Sequence, residues 1–176
     1  FTIHSPITFF SAVNIIFQEN IPQNEVVIIS DGYEVPFEIG FVVTAYQQLD
    51  KKFWHKIKNI NLVKAYDTYI DVVTKGAEFI AYIDLMHAYQ RIIVTHKKCI
   101  RFNFIEEGTA SYVIPDNLNF ITKGTNRVGF RNLNFKQFSL SLVRVFRESS
   151  MRLLSLPFHP QAYSFIENIK FYTFSK

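Results

Sequence analysis

The stretch Cys99-Ile100-Arg101-Phe102-Asn103-Phe104-Ile105-Glu106-Glu107-Gly108 sets the fold class. Its apolar, aromatic and β-branched run predicts a strand from Cys99 to Ile105. The run closes on two adjacent carboxylates and a glycine that lets the chain turn sharply. Outward from it the pattern recurs. Glu25-Val26-Val27-Ile28-Ile29-Ser30 is a continuous apolar run of the kind buried on both faces of a parallel sheet, and Asp31-Gly32 ends it in a turn. Glu78 to Ile83 predicts another strand, Phe1 to Ile3 a short first one, and Lys170 to Phe174 a last one. Helical spacings lie between them. Ser5-Pro6 supplies an N-cap and a first-turn proline ahead of Ile7, Phe10, Ala12, Val13, Ile16 and Phe17. Pro36 to about Gln48, Leu62 to Val73, Leu85 to Thr95 and Phe135 to Ser149 are the other expected helices, and Asp116 to Arg131 reads as a loop. Strands alternating with helices predict an α/β fold with a Rossmann-like, mainly parallel sheet and helices on both faces.

A chain of 176 residues, 48% of them apolar, suits a single α/β domain spanning residues 1–176. The 19 Phe and 9 Tyr supply an aromatic core, and charged residues at 19% are interspersed rather than blocked, which argues against disorder. A net charge of +4 favours anionic partners such as nucleotide phosphates, acidic glycans or an anionic membrane surface. No Lys/Arg run interleaved with stacking aromatics occurs, nor a zinc-finger or RNA-binding signature, so nucleic acid is not an expected partner. The lone Cys99 excludes an internal disulfide and reads as a small hydrophobe in a reducing, cytoplasmic compartment. No apolar stretch reaches the roughly 18–20 residues that cross a bilayer. Phe53 and Trp54 among Lys51, Lys52, Lys56 and Lys58 read either as an amphipathic helix end or as a patch for peripheral membrane association. There is no G-x-G-x-x-G or Walker loop. The chain opens at Phe1 without a leader pattern and stops at Lys176, which reads as a piece of a longer polypeptide.

In open α/β sheets, ligands sit outside the carboxyl ends of the strands. That rule puts Glu106, Glu107 and Gly108 at the reactive edge. Adjacent strand residues point to opposite faces, so one glutamate faces a given pocket while the other holds the turn. A carboxylate in that position suits general-base work; a solvated acidic turn is the plain alternative. His4 and Ser5 end the first strand and either line the same pocket or cap the helix start. Asp31 either offers binding groups at a neighbouring strand end or simply turns the chain. His55, His87 and His96 share no metal-ligand spacing, so no metal site is expected.

Glu106-Glu107-Gly108 resembles the acidic-acidic-Gly motif of bacterial sialyltransferases, especially the capsular polysialyltransferases and lipooligosaccharide sialyltransferases. Thr109-Ala110-Ser111-Tyr112 is similar to the stretch after that motif, and Phe1 to Ile16, with its Ser5-Pro6 turn, to the family's opening strand and helix. The resemblance implies one half of a twin-Rossmann, inverting, metal-independent glycosyltransferase. This chain would be its N-terminal, acceptor-side domain, partnered by a C-terminal donor-binding domain of the same polypeptide. The donor substrate would be CMP-sialic acid, with no further cofactor. The acceptor would be a glycan in bacterial surface polysaccharide synthesis, and the location cytoplasmic or peripheral to the inner membrane. Glu106 or Glu107 would deprotonate the acceptor hydroxyl, while Gly108, Thr109, Ser111, His4, Ser5 and Asp31 would line the substrate site. Thr109 and Ser111 read equally as caps of the next element. A His-Pro motif in the family supplies a histidine for the departing phosphate. His159-Pro160 matches that dipeptide, yet the family's motif belongs to the second domain, and Phe158-His159-Pro160-Gln161 also reads as a loop before the last strand. A related transferase using another nucleotide sugar, and a non-catalytic α/β binding domain with a structural glutamate pair, both stay open.

Overall fold

A computed structural model of the protein describes residues 1–46, 62–85, 87–108, 163 and 167–173. Strand β1 (Thr2–Ile3) leads through the turn at Ser5 into helix α1 (Pro6–Gln18). A 3₁₀ turn at Gln23–Glu25 precedes β2 (Val27–Ser30), and β3 (Phe41–Thr44) follows. Next come α2 (Leu62–Val73), β4 (Phe79–Ile83), α3 (Ala88–Val94), β5 (Cys99–Ile105) and β6 (Phe171–Tyr172).

The strands form two three-stranded ladders, β1-β2-β3 and β4-β5-β6, and every pairing is parallel. Ile3 stands opposite Ser30, Ile83 opposite Phe104, and Ile105 opposite Tyr172, so the carboxyl ends of the strands share one edge. The two sheets abut where β1 lies beside β4. At that seam the Phe1 ring stacks on Tyr82 with centroids 4.2 Å apart, and Thr2 Oγ1 donates to the Tyr82 carbonyl at 3.4 Å. Across the seam the strands run β3-β2-β1-β4-β5-β6. This is the order of a doubly wound sheet, compatible with a Rossmann-like fold.

Pleating explains the layers, because successive side chains leave opposite faces of a strand. Ile3 and Ile28 bury against Phe9, Ala12 and Ile16 of α1, and Tyr82 and Ile105 meet Ile15 of the same helix. Their neighbours Ile29, Ala81, Ile83 and Phe104 turn the other way, onto Tyr66 and Ile70 of α2 and Ile92 and Ile93 of α3. Helix α1 therefore covers one face and α2 and α3 the other. Each fully buried Ile or Phe contributes roughly 1.5–3 kcal/mol to holding these layers.

The expected helix from Pro36 to Gln48 is corrected: as far as Tyr46 the segment is not helical, and β3 occupies Phe41–Thr44. Gly40 ends any helical path, holding φ at +83° with its backbone pressed so closely on Val26 that a Cβ would meet that residue at 2.6 Å. The β-branched Val42, Val43 and Thr44 then pair in register with Ile28, Ile29 and Ser30. Helix α3 also starts later than expected, at Ala88, because Asp84 and Leu85 form a bend after β4. The expected loop at 116–131 and helix at 135–149 lie outside the described residues. Among the described residues, no helix is long and apolar enough to cross a membrane.

Candidate active site

The seam brings the ends of four strands to one edge: His4 after β1, Asp31 after β2, Asp84 after β4, and Glu106 to Gly108 after β5. The start of α1 positions the first of these. Ser5 is the N-cap, its Oγ accepting from the Thr8 N–H at 3.3 Å, while Thr8 Oγ1 accepts from the Ser5 and His4 N–H groups at 3.1 and 3.2 Å. Ser5, read as a substrate ligand from the resemblance, thus spends its hydroxyl on the cap. The cap fixes the backbone from which the His4 ring projects.

That ring lies between two carboxylates. Nδ1 is 3.1 Å from Asp84 Oδ2, and Nε2 is 3.1 Å from Glu107 Oε1. Exposure differs within the trio: the Asp84 side chain is 0% accessible, His4 between the carboxylates 27% and Glu107 20%. The Asp84 end is sealed, and His4 and Glu107 are partly exposed. Asp84 Oδ1 accepts from Gln90 Nε2, which also donates to Thr2 Oγ1 at 2.9 Å. Gln90 Oε1 accepts the His87 N–H at 3.1 Å, so both ends of that amide are specified. The Nδ1 contact is close but off axis, and Asp84 Oδ2 has no aligned hydrogen-bond donor among the described residues. The His87 ring stands edge-on to His4, centroids 6.4 Å apart.

The two glutamates divide their tasks. Glu107 meets His4. Glu106, 9% exposed, ties the strand end down through its main chain, its N–H donating to the Tyr172 carbonyl at 3.0 Å and its carbonyl accepting from Ser11 Oγ at 3.3 Å. Gly108 turns the chain directly after them with φ +114°. Asp31 donates its N–H to the Ile3 carbonyl at 2.8 Å, which keeps it on the same edge. Beyond β2 and β3 that edge opens into a cleft of about 470 Å³ whose walls include Tyr33, Glu34, Phe37 and Glu38. Thr109, Ser111 and His159, together with the Lys51–Lys58 segment, lie outside the described residues.

Burial keeps two other titratable groups protonated, Tyr89 beside Asp84 and Cys99 at the amino end of β5. Burial, and then the charge of Asp84, push the Tyr89 phenol well above its ordinary range, so it stays protonated. Burial likewise pushes the Cys99 thiol up to about 11, which keeps it from acting as a thiolate near neutrality. His4, Asp84 and Glu107 also offer ligand atoms within 4.8 Å of one another, a donor set able to hold a divalent cation. The two ring nitrogens face different carboxylates, however, so a cation on either nitrogen would displace one of the present contacts.

Sequence reasoning placed His4 and Glu107 at this edge and missed Asp84 and Gln90. The signal for Asp84 was available: an acid directly after the apolar strand Phe79–Ile83, in the same position that singled out the glutamate pair. No family model, no curated protein and no solved structure matches this chain.

Proposed function

We propose that this chain is the acceptor-side domain of an inverting, metal-independent glycosyltransferase of sialyltransferase type, with Glu107 as its general base. One observation carries the reading. Glu107 stands at the carboxyl end of β5, near the seam where strand order reverses, with one oxygen on His4 Nε2 and its side chain one-fifth exposed (20%). Sheets of this class bind ligands at such reversals. In the reaction the acceptor hydroxyl gives its proton to Glu107 while its oxygen attacks the anomeric carbon of CMP-sialic acid. The bond from that carbon to the phosphate oxygen breaks through an oxocarbenium-like transition state, and cytidine monophosphate departs with the electron pair. A C-terminal donor-binding domain of the same polypeptide holds the donor and meets the departing phosphate. The cleft edged by Tyr33, Glu34, Phe37 and Glu38 suits a glycan acceptor, offering aromatic faces to sugar rings and carboxylates to their hydroxyls. The setting is bacterial surface polysaccharide synthesis on the cytoplasmic side, in solution or at the inner membrane.

The test uses the full-length protein with the CMP donor. Glu107→Gln removes the base and is expected to lower kcat by about 10²–10⁴-fold, whereas Glu106→Gln retains transfer. Undiminished transfer in Glu107→Gln would sink the assignment.

A further inference from the structure

We propose that His4, Asp84 and Glu107 form a binding site for a divalent transition-metal cation of the zinc class, with Asp84 as its buried anchor. The site goes beyond the transferase reading, which needs no metal.

Asp84 carries the inference. Its side chain is fully buried, yet Oδ2 has no hydrogen-bond donor among the described residues. Buried carboxylates are ordinarily hydrogen-bonded and paired, or they coordinate a metal. The other oxygen is held: Gln90 Nε2 donates to Oδ1, and Gln90 Oε1 accepts the His87 N–H at 3.1 Å, which fixes the amide. Oδ2 is left toward His4, 3.1 Å from Nδ1 but off the axis of a hydrogen bond. Two ligands of one ion meet that description, because their lone pairs converge on a point beside the line that joins them. With bonds of about 2.1 Å, neighbouring ligands of a tetrahedral or octahedral ion stand roughly 3.0–3.4 Å apart.

Glu107 completes the set. One oxygen of each carboxylate and one ring nitrogen all lie within 4.8 Å of one another. Carboxylates on the diverging axes of the two ring nitrogens would stand farther apart, so the two acids lean toward each other. Like charges brought that close favour a shared dication. The Glu107 side chain is 20% exposed and has the rotatable length to close the remaining distance, while Asp84 stays fixed. An imidazole nitrogen in the set argues against magnesium or calcium, which take oxygen ligands, and for zinc or its neighbours. The ion takes one ring nitrogen and ends one of the present His4 contacts; in return the buried Oδ2 gains a positive partner. If Glu107 is the base, a bound ion occupies it, so zinc is expected to inhibit transfer rather than assist it.

The test is calorimetric titration of Zn²⁺ into the chelator-treated full-length protein, with the visible absorption of bound Co²⁺ as a second readout. Zinc is expected to bind the wild type, and His4→Gln to abolish that binding and the Co²⁺ bands. Asp84→Asn and Glu107→Gln are expected to weaken it by no less than the roughly 10–100-fold that loss of an outer-shell partner costs. Should Asp84→Asn fail to fold, Glu107→Gln, altered at a partly exposed side chain, still decides. No zinc binding overturns the proposal, and so does binding that His4→Gln and Glu107→Gln leave unchanged. The two readings fail separately. Zinc held by the trio without inhibition of transfer would keep the site and sink Glu107 as the base. Transfer lost in Glu107→Gln, with a wild type that binds no zinc, would keep the base and sink the site.

Discussion

Gly108 decides where Glu107 can point. Its φ of +114° is one that side chains with a Cβ rarely adopt, and a Cβ built there would come within 3.4 Å of Ile7 Cδ1. The space is nearly adequate, so the cost of a substitution is mainly backbone strain. Gly108→Ala is expected to destabilise the fold by about 1–3 kcal/mol, measured by denaturant unfolding; an unchanged midpoint would mean that the turn relaxes without strain. At this scale the sequence was partly legible. A glutamate pair and a glycine after an apolar run, and a histidine after another, are local patterns. Asp84 needed more, because its meaning depends on His4, 80 residues away in the chain, and that proximity exists only once β1 lies beside β4.

Elements whose side chains obey one period were readable, and those ruled by a backbone constraint were not. Leu62 to Val73 and Cys99 to Ile105 have the expected bounds because their patterns are unbroken. At the entry of β3, Pro36 as a first-turn residue with Phe37 and Phe41 four residues apart mimics a helix start, and Gly40 pressed on Val26 overrides it. A charged cluster joins α2 to the entry of β5. Lys98 Nζ lies 3.1 Å from Asp71 Oδ1 and donates to the Gly76 carbonyl at 2.6 Å. The Lys98 ammonium beside it holds the Asp71 carboxyl below its ordinary range, with Lys97 and His96 adding to it. A depressed folded-state pKa lends stability above the unfolded value, near 4, that drains away as pH falls through the folded one. Asp71→Asn is therefore expected to flatten the acid limb of a stability–pH curve below about pH 4 while leaving its slope near neutrality unchanged. A limb as steep as the wild type's would remove Asp71 from the acid response.

For the whole molecule the seam is the critical line, since the ladders on either side are each internally hydrogen-bonded. Tyr82 is its main filler, stacked on Phe1 and within 5.9 Å of the Tyr172 ring. Tyr82→Ala is expected to cost about 3–5 kcal/mol, as for other large aromatics removed from a core. Native-state hydrogen exchange should report the loss first in β1 and β2, with β5 keeping its protection longer. Equal loss on both sides would mean that the sheets open as one unit. The seam also has a temporal meaning. His4 comes from one sheet and both of its carboxylates from the other, so the trio exists only after the two halves have docked. The trio is an interlock: a half-folded chain holds a lone imidazole or two stray acids, and the three side chains meet only once the two sheets have docked.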